Sequence, residues 1–337
     1  MRTISKHFWV LCLLLLSLAW GCRRIPMYEA EAGVYLRISI DRTLDPAMEA
    51  YLDFDTRPQL RDKILGKMPE IVRACFYDAV SHELVAEDFL PATGGFVDVP
   101  AGAYDVIVYS LGTEETQLSG TQTRAGAYAL TSATGTRVRM QRSSTKADEA
   151  EADEYPVNFE PDHLFVGKIA GAMVPVRPTD AEPTVLSAEL TRLSESWILE
   201  VEDVEGAARI RKAEVYLTGQ AAGRYLWDDR MSNHSCALGF DTEIDSEKGQ
   251  LFAVFNTFGR YPQAETDVIV NLLLTMANGS RIRYVFDVTD QWVNPDNTAH
   301  RLVIDDLIEI PGDTFDGGGF SPVVNDWDGE EIDIIIG

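Results

Sequence analysis

Ile269-Val-Asn-Leu-Leu-Leu-Thr-Met-Ala-Asn-Gly-Ser-Arg-Ile-Arg-Tyr-Val-Phe-Asp-Val288 is the stretch that decides the fold class. Two apolar runs flank Asn278-Gly279, and in the second run Ile282, Tyr284 and Phe286 alternate with other residues. Alternation with a period of two is typical of a strand that buries one face. Asn and Gly both accept the positive φ angles of a two-residue hairpin turn. The stretch therefore predicts a β-hairpin and places the chain in the mainly β class.

Strand-like runs of the same kind recur along the chain. The first has Val34, Leu36, Ile38 and Ile40 on one face and polar or charged residues on the other. Turn residues such as those at 100–102 separate neighbouring runs. The predicted strands are 34–41, 71–77, 83–89, 95–99, 104–111, 164–174, 184–193, 197–204, 212–217, 251–258, 267–276, 280–288 and 301–310. Because no helices alternate with them, they predict β-sandwiches.

One segment breaks the strand pattern. From Pro46 to about Met68 the apolar residues Leu60, Ile64, Leu65 and Met68 recur at steps of three and four, and a proline stands in the first turn. This spacing predicts a short helical insertion at the surface of the first sandwich.

An acidic run divides the chain. Residues 143–158 hold one lysine against an excess of carboxylates and have no apolar periodicity, which is typical of a solvated linker. We therefore predict an N-terminal β-sandwich over 34–142, an acidic linker over 143–158 and a C-terminal β-sandwich over 159–310. Residues 311–337 form a Gly-rich tail that ends in a candidate last strand.

The first residues have the pattern of an export signal. Arg2 and Lys6 precede an apolar run over 8–19 that is too short to span a bilayer comfortably, and the run ends at Gly21-Cys22. The pattern predicts a lipoprotein signal peptide over 1–21, cleavage between Gly21 and Cys22, and a lipidated tether over 22–33. The covalent lipid on Cys22 would hold the protein at the outer membrane. An uncleaved anchor helix or an ordinary secretory peptide is the alternative.

The charge of the chain limits its partners. The formal net charge is −25, and removal of residues 1–21, which hold two basic and no acidic residues, would make it −27. Such a body repels phosphate backbones and anionic lipid surfaces, so we expect no nucleic-acid partner. Membrane attachment would come from the lipid.

Reactive side chains are few. Cys75 and Cys236 are predicted to be unpaired, and Cys75 lies in an apolar strand-like run, which favours a buried thiol. Four histidines remain after residue 21, and none has the spacing of a zinc site: His82, His163, His234 and His300. Common nucleophile and nucleotide-binding motifs are absent from the sequence. We expect no metal, no cofactor other than the lipid, and no enzyme activity.

Two groups of residues are candidates for contact with a ligand or with another chain. Trp227 and Trp292 lie beside turn-like polar residues and are candidate ligand contacts, whereas Trp197 shares a strand face with Leu199 and is expected in the core. In the tail, alternation places Ile332, Ile334 and Ile336 on one face of a terminal strand. This strand could pair within its own sheet or be exchanged with a neighbouring chain.

Several segments together resemble a known family. They are Cys22, the unit Pro100-Ala-Gly-Ala-Tyr104, the run Glu160-Pro-Asp-His-Leu-Phe-Val-Gly167 and the ending that starts at Gly317-Gly-Gly-Phe320. The chain is similar to uncharacterised Bacteroidota lipoproteins related to fimbrial anchor subunits. The resemblance implies two tandem transthyretin-like or immunoglobulin-like β-sandwiches at the cell surface or outer membrane. It also implies pilin-like partner subunits that join by β-strand addition.

The sequence thus predicts a membrane-anchored structural lipoprotein, an anchor or accessory subunit of a fimbria-like assembly. A surface lipoprotein that binds glycans or proteins for nutrient capture is the alternative. A hydrolase built on two carboxylates is a third hypothesis, which no motif supports.

Overall fold

The structure is a computed structural model and describes residues 33–52, 54, 58–140, 153–176, 182–263, 266–310 and 331–335. The chain is mainly β, as predicted. Its strands as far as residue 192 are β1 (Gly33–Ile40), β2 (Ile71–Asp78), β3 (Leu84–Pro91), β4 (Gly94–Asp98), β5 (Gly102–Ser110), β6 (Thr116–Ser119), β7 (Tyr128–Thr131), β8 (Ala133–Met140), β9 (Asp153–Asn158), β10 (Phe165–Val174) and β11 (Thr184–Arg192).

The later strands are β12 (Glu195–Val201), β13 (Val204–Glu205), β14 (Ile210–Ala221), β15 (Gly223–Tyr225), β16 (Ser235–Asp241), β17 (Glu243–Asp245), β18 (Gln250–Thr257), β19 (Ile269–Met276), β20 (Arg281–Asp287), β21 (Arg301–Ile304), β22 (Ile308–Glu309) and β23 (Glu331–Ile335). The helices are α1 (Pro46–Tyr51), α2 (Pro58–Leu65) and α3 (Thr289–Val293), with a 3-10 turn at Ala207–Arg209.

The first sandwich is one row of seven strands, in the order β3-β2-β5-β10-β11-β1-β4. β1 and β11 pair in parallel, and the other neighbours pair antiparallel. The ladder between β10 and β11 is only two residue pairs long, Phe165 with Arg192 and Val166 with Thr191, so the row bends there into two layers. Leu36, Phe76 and Leu190 from these layers share one core.

The second sandwich has a seven-stranded sheet in the order β23-β20-β19-β14-β16-β9-β8 and a four-stranded sheet in the order β17-β18-β12-β21. Leu272 and Tyr284 of the larger sheet meet Leu199 and Phe255 of the smaller one in the core. Trp197, predicted to be core, is 4% exposed and belongs to the same cluster.

The chain crosses between the sandwiches several times, which corrects the predicted domain boundaries. β8 and β9 join the second sandwich, where Val157 pairs with Ala237 of β16, and β10 and β11 return to the first. Residues 153–158 of the predicted linker are therefore a strand, and 165–192 of the predicted second domain complete the first sandwich. Local composition marks where the chain is polar, whereas pairing between strands distant in sequence leaves no local signal. Residues 143–152 of the acidic run lie outside the described residues.

The predicted hairpin is present, but its turn differs from the expected one. β19 and β20 pair from Ile269 with Asp287 to Thr275 with Arg281. Gly279 N donates to Met276 O at 3.0 Å, and Gly279 has a φ of +88°, while Asn278 is not among the positive-φ residues. This is a three-residue loop, a type I turn followed by a left-handed glycine.

The predicted helical insertion is two short helices, and they pack on the second sandwich rather than the first. Leu60 and Ile64 of α2 cluster with Ile198 and Phe252 on the outer face of the four-stranded sheet. Met68, expected on the same helical face, follows α2 and is 56% exposed. Among the described helices, none is long and apolar enough to cross a membrane.

A third core lies between the sandwiches. The outer face of β2 and β5 presents Cys75, Tyr77 and Tyr109, and the cluster is completed by Leu226 and Phe258 of the second half of the chain. A small sheet, β15-β7-β6, covers this region. Buried apolar contact thus fastens the two sandwiches to each other.

Candidate functional site

The segment 160–163, called the joint below, carries the chain from the second sandwich back to the first. Asp162 Oδ2 accepts hydrogen bonds from the backbone N–H groups of Glu114, Glu115 and Thr116 at 2.9, 2.6 and 3.0 Å. One carboxylate therefore accepts three charge-assisted hydrogen bonds from backbone N–H groups, and these bonds hold the turn before β6 in place.

His163 links α2 to the segment between β11 and β12. Its Nε2 lies 2.8 Å from Lys63 O, and its Nδ1 lies 3.0 Å from Ser194 Oγ. A carbonyl only accepts, so Nε2 carries the proton and Nδ1 accepts from the serine. Burial, together with the nearby Arg192 guanidinium, lowers the pKa of His163 to about 4. The ring is therefore neutral at physiological pH.

Glu160 ties the joint to β18. Its Oε2 accepts from Asn256 N at 3.0 Å, and Lys63 Nζ lies 3.3 Å from its Oε1. Burial raises the pKa of the Glu160 carboxyl, and the Lys63 ammonium opposes this shift. The nearby Arg192 guanidinium connects the end of β11 to α2 and to the segment before α1, because it donates hydrogen bonds to Ile64 O at 2.6 Å and to Thr43 O at 2.9 Å.

A cleft of about 680 Å³ opens beside the joint. Its polar and charged lining includes Lys63, Lys67, Glu70, Glu114 and Glu115. Since Glu160, Asp162 and His163 are already hydrogen-bonded as described, the joint residues hold the sandwiches together rather than present a free acid or base. Within the described residues, no group of three or more His, Cys, Asp or Glu side chains is placed to hold a metal ion.

The outer edge of β20 carries the terminal strand. β23 pairs in parallel with β20, from Arg281 with Glu331 to Val285 with Ile335. The register sets Ile332 beside Ile282 and Ile334 beside Tyr284, two positions whose β20 side chains are buried in the core. The end of the chain thus covers a row of backbone groups that would otherwise be an open sheet edge. Ile336 lies outside the described residues.

The two candidate tryptophans have different surroundings. Trp292, on α3, is 9% exposed and stacks on Trp197 with ring centroids 3.8 Å apart. This packing leaves little of the ring exposed for the ligand contact predicted at Trp292, because α3 turns the ring towards the core. Trp227 is partly buried against the third core, and the Arg124 guanidinium lies 4.6 Å above its ring. Ligand contact at Trp227 stays a prediction.

The two described cysteines have similar surroundings. Cys75 and Cys236 are free, as predicted, and both are buried, which was predicted for Cys75. Burial raises the pKa of the Cys75 thiol and raises that of Cys236 to about 12, so both thiols are unreactive in the folded chain. Gly21 and Cys22, the predicted cleavage and lipidation residues, lie outside the described residues.

The joint and the docking of the helical insertion were missed by sequence reasoning. The polar run Glu160-Pro-Asp-His163 between apolar segments was the available signal, since charged residues so close to strand starts need partners when buried. Their partners in α2 and in the turn before β6 come from distant parts of the chain and could not be named from the sequence.

Several known proteins are similar to this chain. Residues 54–241 match the model of a family described as a domain of unknown function (DUF5119). A candidate adhesin from Bacteroides ovatus has a TM-score of 0.55 at 18% identity, covering 85% of this chain and 97% of that one. A second candidate adhesin from Bacteroides ovatus has a TM-score of 0.46 at 14% identity, covering 81% of this chain and 89% of that one. The fimbrial anchor protein Mfa2 from Porphyromonas gingivalis has a TM-score of 0.45 at 11% identity, covering 80% and 90%.

None of the curated proteins matches the chain. The first of these structures confirms the predicted mainly β fold, which this chain shares with a candidate adhesin from Bacteroides ovatus. The family match spans more than half of the sequence. The chain therefore belongs to the DUF5119 family, whose model describes a domain of unknown function.

Proposed function

We propose that the protein is a membrane-anchored structural lipoprotein, an anchor or accessory subunit of a fimbria-like surface assembly that acts through β-strand addition. The observation that carries this proposal is the parallel pairing of the terminal strand β23 on the outer edge of β20. The fold shared with a candidate adhesin supports a role in adhesion or assembly rather than catalysis.

Strand addition at this edge is chemically simple. An incoming strand would replace the β20–β23 backbone hydrogen bonds one for one, so backbone bonding would not oppose exchange. Specificity would come from side chains placed beside Ile282 and Tyr284, which both reach the core.

Membrane attachment is the second part of the proposal. Lipid on Cys22 would hold the body through the ten residues that separate Cys22 from Gly33, where β1 starts. The acidic body supports attachment by lipid rather than by charge.

The experiment is a strand-capture assay. A chain that ends at Glu330 should bind a fluorescent peptide with the sequence of residues 331–337, whereas the full chain, whose edge is occupied, should bind it far more weakly. The control peptide carries Ile334→Pro, which removes a backbone donor and should abolish binding. Absence of peptide binding by a folded truncated chain would contradict strand addition at β20.

The cellular arm tests the assembly itself. In the source cells, Cys22→Ala should release the protein from the membrane fraction, and deletion of 331–337 should change its co-purification with a polymer of pilin-like subunits. If the native protein is found in no polymer, the assembly role is wrong, and the nutrient-capture alternative would be tested next with glycans on Trp227→Ala.

A further inference from the structure

A group of exposed apolar side chains lies at one end of the first sandwich. The group, called the tether-end rim, consists of Tyr35, Val80, Phe96, Met173, Val176 and Val185, which are 40%, 89%, 46%, 64%, 68% and 48% exposed. Single exposed apolar residues are ordinary on protein surfaces, but six at the same end, on the outer faces of both layers and in the segments that leave them, suggest a contact surface around that end.

The strand registers bring the rim residues to the same end. The pairs that mark this end are Gly33 with Asp98, Val34 with Thr184, Asp78 with Tyr104, and Val174 with Gly102. Tyr35 is the centre of a cross-strand row, since it pairs with Phe96 of β4 on one side and Val185 of β11 on the other. Met173 and Val176 belong to the end of β10 and the residues after it.

The same end is where the tether leaves the body. β1 starts at Gly33, and Cys22 is eleven positions earlier. Fully extended, a segment of this length reaches at most about 40 Å. A lipid on Cys22 would therefore keep the tether-end rim within a short distance of the bilayer. Because of this proximity, the bilayer is the surface that we take the rim to contact.

We propose that the tether-end rim rests on the lipid surface to which the chain is anchored, and this inference rests on the lipidation in the proposed function. Tyr and Phe are the residues that insert at the headgroup level of bilayers, and Met and Val add apolar area. Asp98, Glu182 and the turn carboxylate Asp78 lie at the same end, with Arg37 as a nearby cation on β1. This acidic balance favours a zwitterionic surface over an anionic one.

Contact at the rim would orient the whole body. The joint residue His163 comes just before β10, whose start pairs at the far end of β5, so the joint lies at the opposite end of the first sandwich. The first sandwich would then stand between the bilayer and the joint. Because its strands of eight residues are about 27 Å long, the joint would be held clear of the lipid.

The test places an environment-sensitive dye at the rim. Residues 23–337 with a hexahistidine tag at the start are attached to phosphatidylcholine vesicles that contain a nickel-chelating lipid. The dye is coupled to Val176→Cys, and the native thiols do not interfere because Cys75 and Cys236 are fully buried. The matched control is Leu307→Cys, which is 52% exposed beside β22 in the second sandwich.

The expected result is a blue shift of the dye at 176 and loss of most of its emission when the lipid chains are brominated, with neither change at 307. The double variant Tyr35→Ser, Phe96→Ser should return the dye at 176 to its emission in water. Val293→Ser, at an exposed apolar position of α3, should leave the rim signal unchanged. Continued burial of Cys75 in each variant, measured by its slow thiol labelling, shows that the fold is intact.

A dye at 176 that stays in water while the protein floats with the vesicles would overturn the proposal. A blue shift without bromine quenching would assign the rim to a second copy of the chain and would also overturn it. The nickel tether replaces the lipid on Cys22, so either outcome leaves the proposed anchoring untouched, and failure of Cys22 acylation in cells leaves this result untouched.

Discussion

His163 is a buried base that the fold keeps neutral. Its folded pKa, about 4, lies below the ordinary value of 6.5, so between these pH values the unfolded chain binds more protons. Stability that depends on His163 is therefore fully present above pH 6.5 and is lost as the pH falls towards 4. Glu160 acts with the opposite sign, because its raised pKa makes the folded chain bind the proton more tightly.

We expect His163→Gln to flatten the fall in unfolding free energy between pH 6.5 and 4. At neutral pH the variant should lose about 1–3 kcal/mol, because Lys63 O and Ser194 Oγ lose their partner. Urea unfolding at several pH values measures both effects. His234→Gln, at an exposed histidine, is the control, and an unchanged slope in His163→Gln would contradict the assignment.

Asp162 provides a second prediction for a single residue. Asp162→Ala leaves three backbone N–H groups without their acceptor and should cost about 1–3 kcal/mol. Asp162→Asn keeps one oxygen acceptor and should lose less, since only the charge is removed. Thermal unfolding of the two variants gives the order, and an equal loss in both would show that charge rather than hydrogen bonding holds the turn.

At the scale of the element, the turn between β19 and β20 requires a residue with a positive φ angle at position 279. Gly279 has a φ of +88°, which costs an L-residue roughly 1–2 kcal/mol. Gly279→Ala should therefore destabilise the chain by about that amount, whereas Ala277→Gly should have a smaller effect. Chemical denaturation measures the unfolding free energy of both variants. If the turn instead had two residues, with Asn278 left-handed as well, Asn278→Gly would stabilise the chain.

Elements with a strong local signal were predictable, and their partners were not. Alternation of Val34, Leu36 and Ile38 located β1, and the Asn278-Gly279 pair located the hairpin. The parallel pairing of β1 with β11 depends on residues far apart in sequence, so the sequence placed β11 in the wrong sandwich. The packing of Trp292 was not predictable for a related reason, since polar neighbours say little about which face of a short helix is covered.

The helical insertion shows the same limit in its packing. The spacing of Leu60 and Ile64 predicted an apolar helical face, but periodicity does not name the surface that the face covers. In the structure this surface belongs to the other sandwich, and Arg192 of β11 in the first sandwich donates to Ile64 O, so α2 acts as a clamp between the two. The candidate site follows the same rule: the tail strand was visible in the sequence, and the joint was not.

At the scale of the whole molecule, the two sandwiches should unfold together. The chain passes between them repeatedly, and the third core, the joint and α2 all join them. Domains that share so much buried contact lose each other's support when one opens. We therefore expect one cooperative transition rather than two.

The chain contains a matched probe for each half. Cys75 lies in the third core on β2 of the first sandwich, and Cys236 lies in the core of the second on β16, and both are fully buried. With residues 1–22 absent, they are the only thiols in the sequence. In a urea series, both should become reactive towards a thiol reagent at the same concentration, as shown by mass spectrometry of labelled peptides.

Ile64→Ala, which removes buried contact from the clamp at a cost of about 2–5 kcal/mol, should move both midpoints down together. Exposure of Cys236 at one urea concentration and Cys75 at another would mean that the sandwiches are independent, and the joint would then be a flexible connection instead of a rigid one.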